Sequence, residues 1–412
     1  MPRIRKRCFV QMFGYEPVAA DYQYRRIIRE MSRFHETWNV QGKASAPSLS
    51  SDGFVAHWTI ETWGPNWSVA TDFYFLRWDD MVAADAIVSD WRRVPLGIAA
   101  LMEFIFTGTV IKYFTVAWRY GVFFIFPLVA IGGIIWLSIA LSWSALISIG
   151  LPHPLLLAPA AALAVFVLLW WMVGRRLNVR YALDDWCFAR DVVHRSRPEL
   201  EARVDRLARE IVQLARKADV DEIVIDGHSL GAPLSLMVVD RALQLDAKLG
   251  GHGKLIHLVS SGSSLLKLAL HPSAVWLRDA VGRVANAPTI YWVEFQAAAD
   301  FINVYNVDPV VALGMPPAGK PIVKFISIPL MLEEATYKRF RHNFLRIHRQ
   351  ARMGNERRYY YDYYMLCCGP LAVTDWVENS DQSVAAFTAD GALVEAASKT
   401  MDLLISGREP NL

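Results

Sequence analysis

Short apolar stretches alternate along this chain with segments of helical periodicity. Arg7–Phe13, Phe54–Thr62, Asp72–Trp78, Ile223–Ile225, Lys254–Ser260, Ile290–Phe295 and Pro321–Ile328 are brief and rich in β-branched and aromatic residues. Turn residues bound them, such as Gly14-Tyr15-Glu16-Pro17 and Gly64-Pro65-Asn66. Such stretches predict strands. Ala20, Tyr24, Ile27, Met31 and Phe34 recur at helical spacing, as do Leu200, Val204, Leu207, Ile211 and Leu214. Ser196-Arg197-Pro198-Glu199 has the form of a capping box ahead of the second stripe. Further helices are expected over Ala232–Leu243 and Ala335–Met353, and the Tyr-rich run Tyr359–Tyr364, through Cys367-Cys368, reads as a strand with aromatic faces. Strand alternating with helix is the pattern of a parallel sheet covered by helices on both faces.

One region departs from this rhythm. Gly121 to Gly174 contains no Asp, Glu, Lys or Arg. A bilayer is spanned by about 20 apolar residues in a helix, so the run fits two passes. They are expected near Gly121–Ser142 and Leu155–Val173, broken at Gly150-Leu151-Pro152-His153-Pro154, because prolines disfavour a helix interior. Ahead of them Val94–Val110 carries Glu103 and Pro95 and reads as an interfacial helix beside the membrane. Lys112 and Arg119 precede the first pass, Arg175, Arg176 and Arg180 follow the second, and the connecting loop has no charge. The positive-inside rule then puts both ends of the hairpin, and the domain they carry, on the cytoplasmic side of a multi-pass membrane protein. Met1–Arg7 is basic, but Cys8–Val18 contains Glu16 and reads as strand and turn, which makes a poor signal peptide.

Composition sharpens this picture. Hydrophobic residues make up 54% of the 412, with 15 tryptophans, largely because of the charge-free run. A net charge of +3 is too small to argue for nucleic acid; anionic lipid at the basic flanks is the more economical partner. The Arg-rich stretch Arg339–Arg352 reads as a solvated helix face. Cys8, Cys187, Cys367 and Cys368 match neither a zinc spacing nor a redox pair, so reduced structural thiols are expected. Neither a P-loop, a dinucleotide-binding glycine fingerprint nor a metal-ligand cluster is present in the sequence.

The candidate chemistry lies at Ile225-Asp226-Gly227-His228-Ser229-Leu230-Gly231. A serine hydroxyl is a weak nucleophile and must be exposed where a base can reach it. A Gly-x-Ser-x-Gly between a strand and a helix does this through a sharp turn. With its Gly-His-Ser-Leu-Gly, the chain resembles the lipases and esterases of the α/β-hydrolase superfamily. The likeness is specific at the elbow and topological over roughly residues 5–80 and 196–350. Ala232-Pro233 stands where lipases often have a second Gly and Ala. The resemblance implies an α/β fold with a mostly parallel sheet. One hydrolase domain would then run in two parts, 1–93 and 181–412, interrupted by a membrane insertion over 94–180.

It also implies the order Ser, acid, His. Asp300, eight residues past Trp292 at the end of a predicted strand, fits the acid, although related enzymes tend to show Asn where this chain has Glu294. Asp308, in Asn306-Val307-Asp308-Pro309-Val310, is the competitor and resembles the Asp-x-Val-Pro segment of some lipases. Only His342 and His348 follow these acids. On a continuous helix His348 shares the stripe of Phe340 and Phe344, the side expected to face the sheet, and His342 lies opposite. Ser229, Asp300 and His348 are therefore the expected triad, with Asp308 and His342 as alternatives, and His228 as a positioning residue. The oxyanion donors would be the Leu230 N–H and that of Gly14 or Tyr15. Such a site hydrolyses carboxylic esters, here of lipids or other apolar acyl chains, without metal or cofactor. The same triad also serves acyltransferases and thioesterases, and the fold could act as a non-catalytic membrane scaffold.

Overall fold

The computed structural model describes residues 3–150, 153–217, 219–251 and 256–394. Lys254 and Leu255, Leu151 and Pro152, and the chain beyond residue 394 lie outside them. Nine strands form one mixed sheet: β1 Lys6–Met12, β2 Gln41–Ala44, β3 Ser48–Leu49, β4 Val55–Gly64, β5 Trp67–Leu76, β6 Glu222–His228, β7 Ile256–Ser261, β8 Ile290–Ala297 and β9 Ile322–Ile326. The order is β2-β4-β5-β1-β6-β7-β8-β9, with β3 also on β4. From β5 through β1 to β9 neighbouring strands are parallel. β2, β3 and β5 are antiparallel to β4, because Gly64-Pro65-Asn66 folds β4 and β5 into a hairpin. The sheet is thus mixed, and β2 and β3 are strands that the apolar pattern did not mark.

Both faces are buried. On β1, Cys8, Val10 and Met12 enter one apolar core and Phe9 the other; on β6, Ile223 and Ile225 face one core and Val224 the other. Alternate side chains point to opposite faces, so a strand buried on both sides carries apolar side chains towards each. Helices Pro198–Lys217, Gly231–Leu245 and Val275–Asn286 cover the first face. Helices Ala20–Trp38 and Tyr363–Cys368 cover the second.

Three local expectations are corrected. Tyr363–Cys368 is a helix rather than a strand, because the Asp362 carboxylate caps it by accepting the N–H groups of Tyr364 at 2.9 Å and Met365 at 3.1 Å. Tyr361, Tyr363 and Tyr364 are buried in the core. The Ser196 hydroxyl donates to the Asp191 carbonyl at 3.2 Å instead of capping Pro198–Lys217. The helix expected over Ala335–Met353 is two helices, Glu334–Phe340 and Phe344–Arg349, because Asn343 caps the second by accepting from the Arg346 N–H at 3.0 Å.

Between β5 and the Pro198 helix the elements among the described residues are all helices. Trp118–Ile149 contains an 18-residue stretch of mean hydropathy 2.5, and Pro154–Gly174 one of 2.3; both helices are long and apolar enough to cross a membrane. Each helix contains an interior proline, Pro127 and Pro159, and runs longer than the expected Gly121–Ser142 and Leu155–Val173. Ahead of them, Asp90–Phe106 and Thr109–Val116 meet at a 70° bend. Polar ties hold this insertion to the domain. Lys112 donates to the Leu270 carbonyl at 3.1 Å, Arg119 to the Ala298 carbonyl at 2.6 Å, and the Trp170 indole to Asp90 at 2.8 Å.

Candidate active site

β6, β7 and β8 run parallel with His228, Ser261 and Phe295 in register near their C-terminal ends. Ser229, Gly262 and the segment reaching Asp300 therefore emerge at one edge of the sheet, where open α/β sheets place ligands. The chain passes from β6 into helix Gly231–Leu245 through Ser229, whose φ is 54°. For a residue with a Cβ that left-handed backbone costs about 1–2 kcal/mol. Hydrogen bonds hold it: the Ser229 N–H donates to the Ser261 carbonyl at 3.2 Å, and its own carbonyl accepts from Ala232 and Ser264, each at 3.1 Å. Gly231 and Gly227 permit the tight approach. A Cβ on Gly231 would stand 2.4 Å from the Met12 and Phe13 carbonyl oxygens, and one on Gly227 would stand 2.6 Å from the Ala232 Cα.

The loop after β1 closes on the serine from the other side. A Cβ on Gly14 would lie 2.9 Å from the Ser229 Cβ and 3.4 Å from its Oγ. Among the described residues, the N–H groups of Gly14, Tyr15 and Leu230 make no hydrogen bond. The Tyr15 side chain is engaged elsewhere. Its hydroxyl donates to Asp85 at 2.8 Å, and burial, reinforced by that carboxylate, holds the phenol protonated.

Asp300 and His348 meet. The His348 Nδ1 and Asp300 Oδ2 are 2.6 Å apart, and both residues are buried. A carboxylate only accepts, so Nδ1 carries the proton and Nε2 presents its lone pair. That Nε2 is buried and has no hydrogen-bond partner among the described residues. The second Asp300 oxygen accepts from the Ile302 N–H at 3.0 Å. Gly262, at φ 54°, packs flat on the pair; a Cβ there would fall 2.9 Å from the His348 Cε1 and 3.3 Å from the Asp300 Oδ2.

His228, adjacent to the serine, joins it to this pair. Its ring centroid is 4.5 Å from that of His348, and its Nε2 donates to the His348 carbonyl at 3.1 Å. Burial, with the neighbouring His348 and Arg352, pushes its pKa well below the ordinary imidazole value and keeps it neutral. Beneath the elbow, Arg352 pairs with Asp226 at 2.7 Å and donates to the Met12 carbonyl at 3.3 Å. Burial lifts the Asp226 carboxyl to about 6, against the pull of Arg352.

The remaining candidates are committed elsewhere. Asp308 caps helix Pro309–Ala312, accepting from the N–H groups of Val310 at 2.8 Å and Val311 at 3.2 Å. His342 is exposed, and its Nε2 accepts from the Arg341 Nε at 3.1 Å. The stripe that singled out His348 does not exist: the helix breaks before it, and Phe344 is 52% exposed. His348 turns inward within the short helix alongside buried Ile347.

Sequence reasoning missed Gly262 and Arg352. A buried aspartate in β6 was the one available sign that a cation must lie nearby. It also missed a cluster of Glu103, His194 and His271, whose ligand atoms lie within 4.8 Å of one another. The Ser273 N–H donates to the His271 Nδ1 at 3.2 Å, which leaves the proton on Nε2, 3.7 Å from the Glu103 carboxylate. The His271 Nε2 is buried and has no hydrogen-bond partner among the described residues. Comparison of the chain with protein-family models, with curated proteins and with solved structures finds no match.

Proposed function

We propose that the protein is a membrane-anchored serine hydrolase of the α/β-hydrolase type that cleaves carboxylic esters of lipids or other apolar acyl chains. One observation carries the reading. A buried imidazole held by a carboxylate at 2.6 Å offers an unpartnered Nε2, and its ring lies 4.5 Å, centroid to centroid, from that of His228, the residue before a serine at a strained strand-to-helix turn. Catalytic hydrogen bonds to a serine often tighten only once substrate is bound.

In this reading the Ser229 Oγ attacks the ester carbonyl carbon while the His348 Nε2 takes its proton. The tetrahedral intermediate collapses with release of the alcohol, which receives that proton. Water then enters by the same route and frees the acid. Asp300 holds the tautomer and stabilises the imidazolium. The oxyanion is received by the N–H of Leu230 and that of Gly14 or Tyr15, each such donor contributing about 10²–10³ in rate. The apolar hairpin holds this chemistry at a bilayer surface, on the cytoplasmic side by the distribution of arginines and lysines.

The test is labelling with a fluorophosphonate probe, alongside turnover of p-nitrophenyl esters of graded chain length. The wild-type protein should label, and Ser229→Ala should lose labelling and all but a small residue of turnover. Wild-type protein that never labels, or a Ser229→Ala variant that turns over normally, overturns the proposal.

A further inference from the structure

A cavity of about 350 Å³ opens where the hairpin leaves the domain. One wall is the break between helices Thr109–Val116 and Trp118–Ile149, lined by Phe114, Thr115, Ala117, Trp118 and Arg119. The facing wall is Tyr305 and Asn306, from the same segment as Asp300. Arg119 is the cavity's charge. Its Nη1 donates to the Ala298 carbonyl at 2.6 Å, and its guanidinium stacks near the Phe301 ring at 5.6 Å. Among the described residues it has no carboxylate partner and makes no second hydrogen bond, so its other N–H groups are available to a ligand.

The surroundings say what that ligand is. Two residues after Arg119 the charge-free run begins, so the guanidinium sits at the depth where a bilayer changes from hydrocarbon to headgroup. Trp118 and Phe114 are exposed beside it, as aromatic side chains are at a membrane interface. An unneutralised arginine fork in a half-open cavity at that depth matches a phosphate, which guanidinium binds through paired hydrogen bonds. The cavity also adjoins the candidate catalytic segment: Phe301 follows Asp300 and packs on Phe344, at the start of the helix bearing His348, with ring centroids 5.4 Å apart.

We propose that this cavity binds the phosphodiester headgroup of a bilayer phospholipid, through Arg119 and between Trp118 and Tyr305. The proposal rests on the membrane placement of the hairpin and not on the hydrolase reading. Bound lipid would fix the height and tilt of the domain over the membrane, next to the segment that holds Asp300.

Native mass spectrometry of the full chain released from nanodiscs tests it, with phosphatidylglycerol, diacylglycerol and inorganic phosphate as separate probes. Wild-type protein should retain phosphatidylglycerol saturably. Arg119→Gln should weaken retention by about 10-fold or more, and Arg119→Lys by less. Thr115→Trp, which fills the cavity from an exposed position and leaves Arg119 intact, should weaken it as well. Diacylglycerol should not be retained, and millimolar phosphate should not displace the lipid. Equal retention in Arg119→Gln and Thr115→Trp overturns the proposal. Retention of diacylglycerol equal to phosphatidylglycerol overturns it too, since the tails alone would then be recognised. Inorganic phosphate binding as well as the lipid would identify a free-anion site instead. Ser229→Ala should retain lipid like the wild type, so failure of the hydrolase reading and failure of this one remain distinct results.

Discussion

Every residue of β6 is buried, and none of the hairpin helix Pro154–Leu169 is, although both contain runs of aliphatic side chains. In the sheet, apolar side chains pack on one another from both faces, and each polar group among them needs a partner: Arg7 with Glu222 at 2.7 Å, Asp226 with Arg352 at 2.7 Å. In Pro154–Leu169 no apolar side chain is buried and charge is absent, while in the preceding helix Ser138 and Ser148 donate to carbonyls one turn back at 2.7 and 2.8 Å. The same hydrophobic effect shapes both regions. What differs is where the side chains end, in the protein interior in one and at the protein surface in the other, on helices long and apolar enough to cross a membrane. Among the buried polar atoms left without a partner, the His348 Nε2 belongs to a ring held by a carboxylate.

Substitutions can break that contrast. The largest expected effect separates two carboxylates of the sheet region. Asp300→Asn should lower ester turnover by about 10⁴-fold, as loss of the tautomer-holding acid does elsewhere, while Asp308→Asn should leave turnover near wild type. Equal effects in steady-state assays would remove Asp300 from its assigned role. Next, Trp136→Arg places a charge at an outward position midway along the first pass, where Trp136 is 70% exposed. In a bilayer this costs on the order of 2.5–3.5 kcal/mol of insertion, whereas in water it would improve solubility. Carbonate-resistant membrane association should therefore fall; unchanged association would mean that this face does not meet lipid.

Gly262→Ala should cost about 10²-fold in turnover with only a modest loss of stability, since its Cβ would displace His348 by a fraction of an ångström. Intact turnover would show that the imidazole needs no such positioning. The smallest effect concerns pH. Glu294 is fully buried, and desolvation, reinforced by Asp308, pushes its carboxyl from 4.5 up to about 7. The folded state then holds a proton that the unfolded chain has released, so stability falls as pH rises between about 4.5 and 7. Glu294→Gln should remove that slope and raise stability above pH 7 by on the order of 2 kcal/mol. Denaturant titrations at pH 5 and pH 8 would read it; identical slopes in both proteins would mean that Glu294 is ionised without penalty.

The strand and helix order was legible because the main local signals agree with it. β1 and β4 to β9 each contain a short run of β-branched and aromatic residues, and the charge-free run folds into two helices long and apolar enough to cross a membrane. β2 and β3 were not legible, because Gln41–Ala44 and Ser48–Leu49 are short, half or fully exposed edge strands with no buried face to impose a pattern. The helix at Tyr363 was misread because its aromatic residues favour strands, and a single capping aspartate overrides that preference.

The chain by itself determined which residues could carry chemistry: a serine between strand and helix, with acids and histidines downstream. Those are matters of residue type and order, and local sequence encodes them. Which acid meets which imidazole was decided by the tertiary structure. Asp300 and His348 are 48 residues apart, and their 2.6 Å contact exists only because parallel strands and a broken helix return both to one sheet edge. The same holds for Arg352 under the elbow and for the cavity at Arg119, whose walls come from segments nearly two hundred residues apart. Local propensity carries no information about such distances; packing does.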